Sequence, residues 1–437
     1  MLWKSRLIAV FYTCVLSTYT HETVRAEDLS LHADIRQISY FSWKDPRFST
    51  QNPNNDFLGL YRYQAHAELR PDIYLTSSRY KFMLKPRYFY EYNWGRYGDA
   101  TLDSGDSRDD FYINEALFQV KLAPEFFASY GRENLQWGPS YLRTPSNPFF
   151  RENGRDNPKK EVEGKDFLRA IYLPNEWLTI SVIGNFEQGE LRADTQQNSA
   201  EAFKPRHALK FDVIGNNYST SLILSRREGG NTSLGGYLQS TVSDALLVYF
   251  DATLNRGNAI LYPQLDPTNP LGGNFERRYD NSSEQRFIGI TGISYTMENS
   301  ATLSFEYMYN GAGYDDTEAR DYYYLRQNAA DNIKNPTLGS LARNNLASTL
   351  TPGSILLRQH YLFGQYLFNE MGSDLSYTLR WTGNMDDHST QTTAIVEYAY
   401  NDNIQIFTIA SAYNGKNNSE FSSILKNEIM FGFEYTF

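Results

Sequence analysis

Three features of the sequence predict an all-β chain closed into a single antiparallel transmembrane β-barrel of about 18 strands, or about 16, an even number as single-chain barrels require. Long stretches alternate strictly between apolar or aromatic and polar residues, a period of two that places one set of side chains on each face of a strand. Aromatic residues make up 15% of the chain, with 34 Tyr and 27 Phe, yet the mean hydropathy is -0.56. A barrel wall reconciles the two, because only alternate residues meet lipid and aromatics girdle both interfaces. The segments between the alternating stretches are by turns long and short, as the loops and turns at the two ends of such a barrel are.

Residues 1–26 read as a secretory signal, and the barrel is expected over 27–437. Lys4 and Arg6 give the positive start. Residues 7–16 are an apolar run too short to cross a bilayer as a helix, and Val24, Arg25 and Ala26 form the exit. The only cysteine, Cys14, lies in that signal, so the mature chain is expected to have no disulfide, thiolate metal site or cysteine nucleophile.

The first expected strand is 29–43. The second, 57–70, sets Tyr61, Tyr63, Ala65, Ala67 and Leu69 against Arg62, Gln64, His66, Glu68 and Arg70. In 79–94, Tyr80, Phe82, Leu84, Pro86, Tyr88, Tyr90, Tyr92 and Trp94 share one face, and Lys81, Met83, Lys85, Arg87, Phe89, Glu91 and Asn93 the other. That run is longer than most soluble strands and suits a tilted membrane strand. The same rule gives 110–122, 125–135, 166–173, 177–186, 206–214, 217–227, 233–241, 244–254, 286–297, 300–310, 355–368, 373–383, 391–400, 403–413 and 426–437. Long Asn-, Asp- and Gly-rich segments near 44–56, 95–109, 136–165, 187–205, 255–285, 311–354, 384–390 and 414–425 alternate with tight links. With both ends of the mature chain periplasmic, every long segment falls on the extracellular side.

In the last strand Ile429, Phe431, Phe433, Tyr435 and Phe437 occupy every second position, and the sequence ends on Phe437. This resembles the terminal strand of bacterial outer-membrane β-barrel proteins. The resemblance implies a location in outer-membrane lipid and an ending read by the assembly machinery. An open sheet edge in lipid would leave amides unpaired, so the first and last strands are expected to pair. A ring that wide encloses an aqueous channel unless loops plug it.

The polar faces would line that channel. Arg62, Arg70, Lys81, Lys85, Arg87, Lys121, Arg358 and Arg380 are the candidate solute contacts, with Arg36, Arg169 and Lys210 as further basic members. The acidic members are Asp34, Glu68, Glu91, Glu115, Asp212, Asp251, Glu306, Glu397, Glu428 and Glu434. Basic residues concentrate before Lys121 and later positions are mostly acidic or neutral, so a positive sector and a more negative one would orient polar solutes. Lys81, Lys85 and Arg87 are the best candidates to meet an anionic solute; alternatively, such charges pair across strands. The segment after the fifth strand is rich in Gly, Pro and aromatics, which demand defined turns. It reads as an ordered loop of the kind that narrows a lumen, with Arg132, Trp137, Arg143, Arg151 and Arg155 as constriction residues. The alternative is an outer loop packed on its neighbours.

Gly131-Arg132, Trp137-Gly138 and Pro145-Ser146-Asn147-Pro148, together with Ile113-Asn114-Glu115-Ala116, resemble the alginate-export type of outer-membrane barrel and related porin-like families. The resemblance implies passage of anionic polysaccharide or other polar solutes, outward or inward. The near balance of lumen charge departs from a strongly basic export conduit. The sequence therefore reads as a passive channel for polar, anionic or carbohydrate-type solutes. The alternative is a plugged barrel that acts as a surface enzyme or adhesin through its outer loops.

The net charge of -10 argues against a nucleic-acid partner, which would call for a basic patch. No nucleotide loop, HExxH or paired Cys/His spacing occurs, so no cofactor or metal is expected. Asp99, Asp103, Asp106, Asp109 and Asp110 crowd one outer segment but fit no EF-hand spacing. No motif links His66 or His360 to a nucleophile, so no enzyme activity is expected.

Overall fold

The computed structural model describes residues 29–96, 105–150, 152–187, 203–279, 283–350, 352–353, 356–369 and 372–437. Residues 1–26, the expected signal, and Arg151, Asp99 and Asp103 lie outside them. The wall begins with β1 (Ser30–Pro46), β2 (Tyr61–Thr76), β3 (Tyr80–Arg96), β4 (Asp106–Ala123), β5 (Phe126–Glu133) and β6 (Lys165–Asn175). It continues with β7 (Leu178–Glu187), β8 (Arg206–Ile214), β9 (Tyr218–Arg227), β10 (Thr232–Thr241) and β11 (Leu246–Arg256). A short hairpin, β12 (Tyr262–Leu265) and β13 (Gly273–Glu276), stands apart from the wall. The ring is completed by β14 (Gln285–Thr296), β15 (Ala301–Asn310), β16 (His360–Asn369), β17 (Leu375–Asn384), β18 (Thr390–Ala399), β19 (Ile404–Asn414) and β20 (Leu425–Thr436).

These strands form one 18-stranded antiparallel sheet, each paired with its neighbours along the chain. The two ends meet: Arg36 lies opposite Thr436 and Trp43 opposite Ile429, and the Phe437 amide donates to the Ile35 carbonyl at 3.0 Å. The sheet is thereby a closed barrel with no free edge, which is what a lipid environment demands. The expected sidedness holds on β3 and β20. Phe82, Tyr88, Tyr90, Phe431 and Phe433 are exposed on the outer wall, while Met83, Arg87, Phe89 and Met430 are buried inside.

On β4 the alternation changes phase. Lys85 faces Glu115 but the next pair is Pro86 with Ile113, so Asn114 is left over as a bulge. Pro86 has no N–H to contribute to a ladder, and a bulge is one of the few places where a sheet accepts it. The extra residue lets Phe111 and Phe118, of opposite parity, both be exposed, while Tyr112, Asn114 and Leu117 are all buried.

Two long segments expected as irregular loops contain regular structure. Residues 257–284 hold the β12–β13 hairpin, and 311–359 hold helices α1 (Asp316–Asn332) and α2 (Gly339–Leu350). Asp315 caps α1, accepting from the Thr317 and Glu318 amides, and Glu318 completes the box by accepting from the Asp315 amide. Ala319 and Tyr322 pack with Tyr262, Tyr314 and Leu357, and further along Ala329 and Ile333 pack with Leu271, Ala342 and Leu346. Buried Arg326 ties α1 to two other loops, donating to Thr50 (2.8 Å), Gln51 (2.7 Å), Ser423 (3.1 Å) and Asn418 (3.2 Å). The hairpin, both helices and the loops 47–60 and 415–424 thus form one packed outer layer.

Candidate channel constriction

The bulge at Asn114 is where the inner site begins. Asn114 and Glu115 both point inward, and both hold the segment 134–164 that joins β5 to β6. Glu115 accepts from the Asn134 amide at 3.1 Å, Asn114 donates its side-chain amide to Glu161 at 3.1 Å, and the Gly164 amide donates to the Asn114 carbonyl at 3.2 Å.

From there the segment crosses the lumen. The Tyr141 and Leu142 amides donate to Glu306 on β15 at 2.5 and 2.8 Å, and the Ser146 amide donates to Asp251 on β11 at 2.8 Å. Arg380, on β17, donates to the Arg155 carbonyl and to Gln365 at 2.7 Å. Counted round the ring, β17 stands half-way from β6, so this contact lies at the far side of the barrel. Lys159 reaches Glu397 on β18 (2.8 Å), Gln405 on β19 (2.7 Å) and Glu434 on β20 (3.2 Å). Two residues on, Glu161 binds Arg87 of β3 at 2.7 and 2.9 Å.

The aromatic half of the segment packs against the wall nearer its roots. Phe149 and Phe150 are buried against Phe167, Ile183, Ala208 and Ile223, with Leu135, Trp137 and Val162 alongside. Trp137 meets Phe149 edge to face at 5.9 Å, and Lys210 stands 5.2 Å over its ring. Gly138 has a φ of +91, and a Cβ there would lie 2.3 Å from an Asp251 carboxylate oxygen.

The uneven charge of the two wall sectors therefore seats this segment. Its Glu161 goes to the basic sector of β2 and β3, and its Lys159 to the acidic sector of β18 and β20. Arg87 is 0% exposed, held by Asp72 (2.8 Å), Glu161 and the Pro71 carbonyl (2.9 Å). Burial pushes the Glu161 carboxyl up, but the Arg87 hydrogen bonds and the Arg70 and Arg87 charges outweigh it and hold the group below its ordinary range.

Several expectations about single residues need correction on this geometry. Arg87 cannot meet a solute, because it is enclosed by carboxylates and backbone. Arg70, also buried, donates to Glu68 (2.7 Å) and to the Lys159 carbonyl (2.8 Å). Lys85 is paired with Glu115 at 2.6 Å, so cross-strand pairing describes it better than solute contact. Arg358 is not a wall residue: β16 starts at His360, and Arg358 is buried in the outer layer on the Tyr314 carbonyl (3.1 Å) and Asp316 (2.5 Å). Arg132 belongs to β5, on the same face as exposed Tyr130 and Leu168, and pairs with Asp166 at 2.9 Å instead of lining a constriction.

The remaining residues divide into loop and wall. Arg155 lies 5.1 Å from the Tyr141 ring and donates to the Ser140 carbonyl at 2.7 Å, so it braces the segment from within. Arg143 pairs with Asp156 at 2.9 Å, and both line a cavity of about 30 Å³ with Arg380, Thr382, Gln391 and Thr393. Arg62, Lys81 and Lys121 are exposed. Lys81 and Lys121 lie near the short-turn end, Lys121 with its ammonium 5.8 Å from the Phe127 ring. His66 stacks between Tyr40 and Phe89 on the lumen face, and His360 shares a 2.7 Å hydrogen bond with Tyr307. No group of three or more His, Cys, Asp or Glu that could hold a metal occurs among the described residues.

No family model matches the chain, and no curated protein does. The expected resemblance of residues 113–116 and 131–148 to alginate exporters is not shown by these comparisons. Solved structures resemble the chain as a whole. OccAB1 of Acinetobacter baumannii has a TM-score of 0.55 at 12% identity, covering 95% of this chain and 99% of that one. The outer membrane protein OprD of Pseudomonas aeruginosa has 0.53 at 12%, covering 94% of each. OccK5 (OpdH) of the same organism has 0.52 at 9%, covering 93% of this chain and 98% of that one. The chain therefore has, along nearly its whole length, the closed-barrel fold of outer-membrane proteins such as OprD.

Proposed function

We propose that the protein is an outer-membrane channel that passes small polar solutes through a lumen narrowed by residues 134–164. The observation that carries this reading is the crossing of the lumen by that segment, pinned to β3, β11, β15, β17, β18 and β20 by side chains of both signs. A segment held this way narrows the bore, which argues for small-solute passage over polysaccharide export. Exposed Lys81 and Lys121 on the lumen face, with Arg62 at the outer end of β2, supply cationic surface that favours anionic solutes such as carboxylates. An outer-membrane location is supported by the shared fold and by the outward aromatic face.

Single-channel recording in planar bilayers tests the proposal. Wild-type protein should give small, stable openings, and removal of residues 138–160 should raise the conductance severalfold. Lys81→Glu with Lys121→Glu should move the reversal potential toward cation selectivity. Absence of any open current, with the barrel inserted, would instead favour the plugged surface enzyme or adhesin.

A further inference from the structure

The outer wall carries a feature that solute passage does not use. At the long-loop ends of β8, β9, β10, β11 and β14, the residues His207, Arg226, Thr232, Arg256 and Gln285 stand directly opposite one another, strand to strand. Two residues deeper along each strand, on the same outward face, Leu209, Leu224, Leu234, Leu254 and Phe287 form a second directly paired row. Leu224, Leu234 and Phe287 are exposed, as is Val182, which extends this row on β7. A polar row carrying two arginines therefore borders an apolar row, and together, Phe287 apart, they line a concave patch of about 610 Å³.

Arg226 and Arg256 are exposed, and neither has an ion-pair partner among the described residues. This sets them apart from Arg36, Arg70, Arg87, Arg132 and Arg169, each paired with a carboxylate. Glu284, next to Gln285, is paired with Arg286 at 2.7 Å. Both arginines face Thr232 from either side, so their backbones lie two strand spacings, about 10 Å, apart.

We propose that this patch binds a membrane lipid whose headgroup carries phosphate. The planar guanidinium forks of Arg226 and Arg256 suit phosphate oxygens, and acyl chains would lie along the leucine row. A soluble anion would use the arginines but leave the aliphatic row without a role. A second copy of the barrel docked here by a two-fold axis would set the four guanidinium groups of two patches together with no counter-charge. The inference rests on the membrane reading above.

Native mass spectrometry of the whole barrel in a non-ionic detergent tests it, with bis-phosphorylated lipid A, its dephosphorylated counterpart and inorganic phosphate as separate probes. Wild-type protein should retain the bis-phosphorylated lipid in preference to the other two. Arg226→Ala with Arg256→Ala should lower that retention about tenfold or more, while Arg226→Lys with Arg256→Lys should keep most of it. Equal retention by the alanine variant, equal retention of the dephosphorylated lipid, binding of inorganic phosphate in place of the lipid, or a dimer in place of the lipid adduct would each overturn the proposal. Insertion of the same preparations into phosphatidylcholine vesicles is followed in parallel. A barrel that inserts but shows no lipid preference sinks the lipid site alone; one that inserts into no vesicle sinks the membrane reading with it.

Discussion

Glu420 sits where three outer segments meet and accepts from the Leu357 amide (2.8 Å), the Tyr361 hydroxyl (2.5 Å) and the Asn384 side chain (2.8 Å). Burial pushes its carboxyl up from an ordinary 4.5 to about 7, with the nearby Asp387 charge adding to the shift and the hydrogen bonds opposing it. The folded protein thus holds this proton more tightly than the unfolded chain does. Its contribution to stability is complete below about 4.5 and is lost as pH rises through about 7. Hydrogen exchange at the Leu357 amide should therefore accelerate between about pH 5 and about pH 8 beyond the intrinsic rise with base, and Glu420→Gln should remove that excess. A flat exchange profile in the wild type would refute this account. At this scale the sequence exposed the charges but not their partners. Lys85 and Glu115 meet because two strands align them, and Arg87 meets Glu161 across 74 residues of chain, a separation over which periodicity carries no information.

Segments differed in how openly the sequence declared them. The wall strands were legible because outward and inward environments write a period of two into every one of them. The Asn114 bulge was not, since a single surplus residue only shifts the phase, although Pro86 opposite it was a signal. Helix α1 carries no period of two; Ala319, Tyr322, Ala329 and Ile333 instead follow a helical spacing behind the capping pair Asp315 and Glu318, so its signal differs from that of the wall. That 134–164 is an ordered segment was legible from its Gly, Pro and aromatic content; whether it enters the lumen or packs outside was left open there, and its anchors on β11 and β15 were not legible. Gly138 is the place to disturb it. Gly138→Ala puts a Cβ at a φ of +91 and 2.3 Å from an Asp251 carboxylate oxygen, so that carboxylate, which holds the Ser146 amide, must shift or the segment must, and single-channel recordings should show a larger and noisier conductance. Gly372→Ala, at a φ of +85 but with nothing within 4 Å of the new Cβ, isolates the backbone strain, at about 1–2 kcal/mol, and should leave conductance unchanged.

For the molecule as a whole, closure and sidedness were the most legible properties, because hydrocarbon outside and water inside impose them on every strand at once. Phe431 is 56% exposed on the outward face of β20, next to the seam with β1. Phe431→Lys should cost about 2–4 kcal/mol if that position lies near the bilayer midplane, read as a lower urea midpoint for unfolding from vesicles. The same change at Gln239, a half-buried inward position opposite Tyr249 and Ser219, should be felt in ion selectivity before stability. A fall in midpoint at Gln239 and none at Phe431 would reverse the assignment of the two faces.

A cylinder eighteen strands around is, mechanically, a thin hoop, and the lateral squeeze of a bilayer would flatten it into an ellipse. The bond from Arg380 to the Arg155 carbonyl, opposed by the roots of the segment on β5 and β6, works as a tie-rod between strands that stand half-way round the ring from each other. The segment that crosses the lumen therefore also resists that flattening, so severing it should change the shape of the barrel as well as the width of its bore.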